Sequence, residues 1–148
     1  MNIKIKEMTI HDLKNIKNIL NSDFDDFWNY NIIKEELESD NSKYIIALYN
    51  DEIVGFAGIK ITLDTADIMN IVTKKSFRNN GIGSLLLKNL ITISKKLNLN
   101  TITLEVNENN ISAIHLYEKS GFQNLGIRKN YYKNENAIIM TKELNTLI

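Results

Sequence analysis

The chain has no cysteine and no proline, and only six glycines and one tryptophan in 148 residues. Without cysteine there is no disulfide, no zinc knuckle, no thiolate nucleophile and no thiol redox chemistry. Neither sign of charge prevails, with 18 Lys plus Arg against 18 Asp plus Glu. The cationic excess that gives general nucleic-acid binders their affinity for phosphate is therefore missing, and no direct nucleic-acid partner is expected. Nowhere do 18 apolar residues run together, and Met1-Asn2-Ile3-Lys4-Ile5-Lys6-Glu7 has no apolar leader core. The expectation is a cytoplasmic protein, neither exported nor membrane-spanning. What is present is enough apolar content, 43%, for a core in one domain spanning residues 1–148. A chain of this length buries roughly two-thirds of its surface on folding. Nothing in the sequence speaks to oligomeric state.

No repeat, linker or low-complexity tract interrupts the chain. Ile3 and Ile5 alternate with Lys4 and Lys6, which reads as a strand over Met1 to Glu7. Thr9-Ile10-His11-Asp12 has the form of a capping box, with Met8 and Leu13 placed as a hydrophobic staple. Ile10, Leu13, Ile16 and Leu20 continue as a helical stripe, and a second short helix fits Ile32 to Ser39. Strands are expected at Lys43 to Tyr49 and Ile53 to Ile61 around an Asn50-Asp51 turn, and at Ala66 to Thr73. A helix begins at Gly81 with Ile82, Leu85, Leu86, Leu90, Ile93 and Leu97 on one face. After a strand at Thr101 to Val106, a helix over Asn110 to Ser120 is closed by Gly121. Strands near Phe122 to Tyr132 and at Asn136 to Leu144 end the chain. The order βααβββαβαββ demands an α/β fold, a mixed sheet covered by helices.

The stretch Arg78-Asn79-Asn80-Gly81-Ile82-Gly83-Ser84 lies between a strand-rich segment and an amphipathic helix. Glycine there lets backbone N–H groups approach a ligand, and the helix start offers unsatisfied donors to a phosphate or pyrophosphate. A P-loop requires G-x-x-x-x-G-K-[ST] and a dinucleotide fingerprint G-x-G-x-x-G. Gly81-Ile82-Gly83 is followed by Ser84-Leu85-Leu86, so neither is present. A glycine-opened helix with no ligand fits the spacing equally well.

Arg78-x-x-Gly81-x-Gly83 resembles the Q/R-x-x-G-x-G/A signature of the GNAT N-acetyltransferase superfamily. Longer stretches carry the resemblance further. They are Asn70-Ile71-Val72, Leu104-Glu105-Val106 with Asn110 to Phe122, Arg128-Lys129-Asn130-Tyr131-Tyr132, and Asn136 to Met140. Together they look like the RimI type, the ribosomal-protein alanine N-acetyltransferases. The likeness is dense from about Ala66 to Met140, and before that it rests on element order alone.

The resemblance implies an acyl-CoA N-acyltransferase fold with acetyl-CoA as cosubstrate and no metal. Its pyrophosphate would lie on Arg78, Asn79, Asn80, Gly81, Ile82, Gly83 and Ser84. The backbone of Ile71, Val72 and Thr73 would hold the acetyl and pantetheine portion. Glu105 would be the general base, Tyr117 the general acid, and Asn110 a cofactor contact. The chemistry is consistent with such an assignment. Deprotonating a lysine amine at pH 7 costs about 4.6 kcal/mol, whereas an α-amine near pKa 8 costs only about 1.4 kcal/mol. One carboxylate is then a sufficient base for an N-terminal acceptor. A phenol can protonate a departing thiolate downhill. Absence of cysteine excludes a cysteinyl acyl-enzyme and favours direct transfer.

Local pattern alone gives plainer readings. Glu105 shares a strand face with Thr101 and Thr103 and would be a polar residue on a half-wet strand. Tyr117, with Ile114 and Gly121 on its helix face, would be a core aromatic. Asn110 would be an N-cap, with Asn109 as the alternative. The chain also departs from the family. Asn107 stands where an Arg often follows Leu-Glu-Val, and Lys74-Lys75-Ser76-Phe77 lacks a proline often found there. Asn79 and Asn80 replace the usual Arg or Gln, leaving Arg78, Lys74 and Lys75 as the cations near the phosphates. His11 and His115 are not spaced as metal ligands, and no nucleophile elbow exists. Asp23 to Tyr30 combines acids and aromatics that could attract a cationic N-terminus, or simply pack as a loop. The acceptor implied is a protein N-terminus. A lysine, polyamine or other small amine, and a non-catalytic acyl-CoA-binding module, are the competing readings.

Overall fold

The computed structural model describes residues 1–24, 29–132 and 134–144, and the side chains of these apart from 130–132. The elements are β1 (Lys4–Glu7), α1 (Ile10–Asn15), α2 (Tyr30–Glu38), β2 (Ser42–Tyr49), β3 (Glu52–Thr62), β4 (Thr65–Thr73), α3 (Ile82–Lys96), β5 (Thr101–Asn107), α4 (Ile111–Lys119), β6 (Gln123–Tyr132) and β7 (Glu135–Glu143). This is the expected order. The strands form one seven-stranded sheet, β1-β2-β3-β4-β5-β7-β6. β4 and β5 pair parallel, while β1–β2, β2–β3, β5–β7 and β6–β7 are antiparallel. The chain divides into two compact units, residues 1–61 with 69–90, and residues 62–68 with the chain from Ile91 onward.

In the first unit, Thr9 and Asp12 complete the expected capping box. The Thr9 hydroxyl accepts from the Asp12 amide at 3.1 Å, and the Asp12 carboxylate accepts from the Thr9 amide at 2.9 Å. Met8 and Leu13 are both buried, as the staple requires. The helical stripe does not continue as one helix. α1 stops at Asn15, and short 3-10 and π segments over Lys17–Ile19 and Leu20–Phe24 carry Leu20 and Phe24 into the core instead. Phe24 packs on Phe56 with ring centroids 5.7 Å apart. Asn50 and Asp51 both have positive φ, 49° and 65°, as a type I′ turn between β2 and β3 demands. A Cβ at Gly55 would lie 3.0 Å from Ile82 and 3.1 Å from Leu86. That glycine lets the first turns of α3 seat directly on β3. Along α3, Ile82, Leu86, Leu87 and Leu90 are buried, whereas Leu97 beyond its end is exposed. Asn70 is buried on β4 and donates to the Tyr44 hydroxyl at 3.1 Å, while its Oδ1 has no hydrogen-bond partner among the described residues. Burial pushes the Tyr44 hydroxyl well above the usual phenol range.

In the second unit, the β4–β5 ladder is short, pairing Thr65–Asp67 with Thr101–Thr103. Burial alternates along β5, with Ile102, Leu104 and Val106 inside and Thr101, Thr103, Glu105 and Asn107 half-buried. Residues opposite one another share a sheet face. Glu105 faces Ile139 and Asn107 faces Ala137 on β7, and Ala137 in turn faces Arg128 on β6. α4 ends in a Schellman motif. Gly121, at φ 95°, donates to Glu118 O, and Phe122 donates to Tyr117 O.

Candidate active site

The glycine turn belongs to the first unit and is built almost wholly of backbone. Asn79 (φ 67°) and Gly81 (φ 76°) take left-handed conformations. The Asn80 side-chain amide ties the turn by donating to Phe77 O at 3.0 Å and Arg78 O at 3.2 Å. Leu85 donates to Gly81 O, so the amides of Ile82, Gly83 and Ser84 open α3 with no acceptor inside the helix. A Cβ at Gly81 would meet nothing within 4 Å, and one at Gly83 only Thr73 Oγ1 at 3.8 Å. Gly81 is needed for its backbone angle. Gly83 has neither a positive φ nor a crowded Cβ site to explain it, although a helical glycine costs about 1 kcal/mol relative to alanine. The turn therefore presents the free amides at the start of a 15-residue helix beside two glycine positions where a Cβ would meet little, an arrangement that suits an anion.

The cations around the turn differ from expectation. Lys74 is paired with Glu52 at 2.8 Å and its amide donates to Val54 O. A proline at that position would forfeit the amide bond. Tyr49 meets Phe77 edge-on at 5.9 Å, so residues at both sides of the β2–β3 turn brace the segment leading into the glycines. Arg78 and Lys75 are the exposed cations left there. Ile71, Val72 and Thr73 end β4, beyond the short ladder to β5.

Glu105 and Tyr117 belong to the second unit. Glu105 projects from the polar face of β5, and its Oε1 accepts from Arg128 Nη2 at 2.8 Å, the two side chains being 24% and 55% exposed. Arg128 lies in a stretch quoted above for the family likeness, yet sequence alone assigns it no partner. Two residues along β5, Asn107 and the neighbouring Asn109 both donate to Glu135 on β7. Those bonds, the one from Asn107 foremost, hold the Glu135 carboxyl below its usual range. Asn107 Oδ1 also accepts from the Asn109 amide, so this departure from the family fixes the β5–α4 connection. Asp67 stands opposite Thr103 on the same face, and burial pushes its carboxyl above the usual range.

Asn110 caps α4, its side chain accepting from the Ala113 amide at 3.2 Å. This settles the cap in its favour, since Asn109 is engaged with Glu135. Tyr117 is half-buried and packs edge-on against Phe122, with centroids 5.9 Å apart. The two are the third residue from the helix end and the second beyond the cap, the pair that a Schellman stop brings into contact. The core-aromatic reading is thus half right, because the ring packs on Phe122 while the residue is only partly buried. Of the Asp23 to Tyr30 segment, Phe24 is core and Tyr30 carries the Lys17 ammonium 4.6 Å from its ring centre. Residues 25–28 lie outside the described residues. No group of His, Asp and Glu that could hold a metal occurs among the described residues, and no described helix is long and apolar enough to cross a membrane.

Known proteins bear on this geometry. The Acetyltransferase (GNAT) family profile matches residues 13–122. A Haemophilus influenzae protein named as the ribosomal protein bS18-alanine N-acetyltransferase is 37% identical over 76% of this chain and 80% of its own. A Bacillus subtilis protein named, provisionally, for the same activity is 32% identical over 95% of both chains. The crystal structure of the Escherichia coli ribosomal-protein-S18-alanine N-acetyltransferase superposes with a TM-score of 0.90 at 28% identity, covering 99% of this chain and 97% of that one. A GNAT acetyltransferase from Elizabethkingia anophelis with acetyl-CoA bound superposes at 0.76 and 26% identity, covering 97% and 99%. With its order of elements, its glycine turn and this breadth of likeness, the chain belongs to the GNAT acetyltransferase family.

Proposed function

We propose that this acetyl-CoA-dependent N-acetyltransferase modifies the N-terminal α-amine of a protein, a ribosomal protein whose chain begins with alanine being the acceptor. The observation that carries the reading is the likeness to bS18-alanine acetyltransferases over almost the entire chain. The residues supply the chemistry without a covalent enzyme intermediate. Backbone donors at the start of α3 and the strand end at Ile71–Thr73 bind the CoA thioester. The acceptor nitrogen attacks the thioester carbonyl and Glu105 takes its proton. The C–S bond breaks, the acetyl group stays on nitrogen, and Tyr117 protonates the thiolate. Asn110 contributes by capping the helix that carries Tyr117 and by contacting the cofactor.

The test is release of CoA with peptides beginning in alanine, compared with the same peptides α-blocked and carrying an internal lysine. Mass spectrometry then locates the acetyl group. The expected product is acetylated on the α-amine alone. Acetyl on lysine, or turnover only with polyamines, would move the acceptor assignment. Thermal protection by acetyl-CoA with no turnover on any amine would make the chain a binding module. Glu105→Gln should slow the α-amine reaction about 100-fold or more, the usual range for loss of a general base.

A further inference from the structure

The second unit contains an ion pair that the reaction as written above does not use. Arg128 Nη2 lies 2.8 Å from Glu105 Oε1, with a strand between the two residues. The register makes the reach possible. Arg128 on β6 is opposite Ala137 on β7, Ala137 is opposite Asn107 on β5, and Glu105 is two residues along the same face. Level with Arg128, β7 places only the fully buried methyl of Ala137, and level with Glu105 it places Ile139. Most surface ion pairs contribute little to stability, and Arg128 is more than half exposed, so holding the fold together does not account for this one.

What it does account for is geometry. A glutamate on a half-exposed strand face samples several rotamers, and a general base must present one oxygen along the line of the departing proton. We infer that Arg128 is the positioning residue of the base: by pairing with Oε1 it holds the Glu105 carboxylate in one orientation. The inference rests on Glu105 being the base. A guanidinium suits the task better than an ammonium because its planar fork fixes orientation as well as charge.

The experiment is a double-mutant cycle in the full chain, with single-turnover rates measured at saturating acetyl-CoA and an alanine-initiated peptide. Arg128→Gln should lower the rate roughly 10-fold, the scale of a small misplacement of a reacting group. The KM for acetyl-CoA and the thermal midpoint should stay unchanged. Arg128→Lys should recover part of the loss. In a Glu105→Gln background, Arg128→Gln should cost nothing further, because the residue acts through the carboxylate. A rate for Arg128→Gln within twofold of the parent overturns the inference. So does an equal loss in both backgrounds, which would make Arg128 a direct substrate contact. If Glu105→Gln alone is as fast as the parent, the base assignment fails, and that outcome is separate from the other two.

Discussion

The glycine turn and the Glu105 face meet different demands with opposite materials. The turn is a backbone device. Its asparagine side chain folds back onto its own carbonyls, one nearby lysine is consumed by Glu52, and the open space is kept by residues that lack a side chain. The Glu105 face is a side-chain device. Arg128 holds Glu105, and Asn107 and Asn109 hold Glu135, all across strands. In the roles proposed above, the turn meets a fixed polyphosphate, which amides that any sequence supplies recognise well enough. Glu105 in its proposed role takes a proton, which needs one particular carboxylate aimed in one direction. The first region should therefore tolerate change of side-chain identity but not added bulk, and the second the reverse.

The largest test of that contrast is Tyr117→Phe, which keeps the ring against Phe122 and removes only the hydroxyl. We expect kcat to fall about 100-fold with the thermal midpoint almost unmoved. An unchanged kcat would reduce Tyr117 to a packing residue. Next in size, Gly83→Leu fills the space over α3 without straining the backbone. The KM for acetyl-CoA should rise about 10-fold, equivalent to about 1.4 kcal/mol, with kcat little changed and the fold at least as stable. Binding as tight as in the parent would mean the thioester lies elsewhere. A smaller effect is expected of Asn80→Ala, which loosens the turn by removing two exposed hydrogen bonds. Initial-rate kinetics should show the KM for acetyl-CoA up about 3-fold, since such bonds are worth at most about 1 kcal/mol.

The smallest effect concerns Asp67. Its carboxyl is raised by burial, so its contribution favours the fold below the unfolded pKa and is lost as pH climbs through the raised value. Asp67→Asn should then stabilise the protein at pH 7, and the gain should vanish below about pH 4. Solvent screens this half-exposed group, and a rise of no more than about 2 °C is expected in melting curves. A loss of stability at pH 7 would reverse the assignment.

Features governed by neighbours in sequence were legible. Thr9 with Asp12, Asn50-Asp51 and Gly121 each settle their own stretch through contacts within about five residues, and all behave as read. The alternation on β5 placed Glu105 on the correct face for the same reason. What sequence could not reveal depends on register. Lys74 finds Glu52 across a hairpin, and Arg128 finds Glu105 across an intervening strand, and no local pattern encodes either. Apolar spacing at Ile16 and Leu20 suits a continuing helix, yet α1 ends at Asn15 because burying both Leu20 and Phe24 is achieved by a wider turn. The roles proposed for Glu105 and Tyr117 rest on family likeness, since their local surroundings suit ordinary strand and core residues equally well.

The Schellman stop after α4 has one more consequence. The amide protons of Gly121 and Phe122 are bound to carbonyls of Glu118 and Tyr117, in the same small motif that sets the tyrosine ring against Phe122. Opening of that motif frees the two amide protons and loosens the contact between the two rings. Deuterium uptake at two backbone positions therefore reports how often the contact between Tyr117 and Phe122 opens, in the resting protein and before any substrate is added.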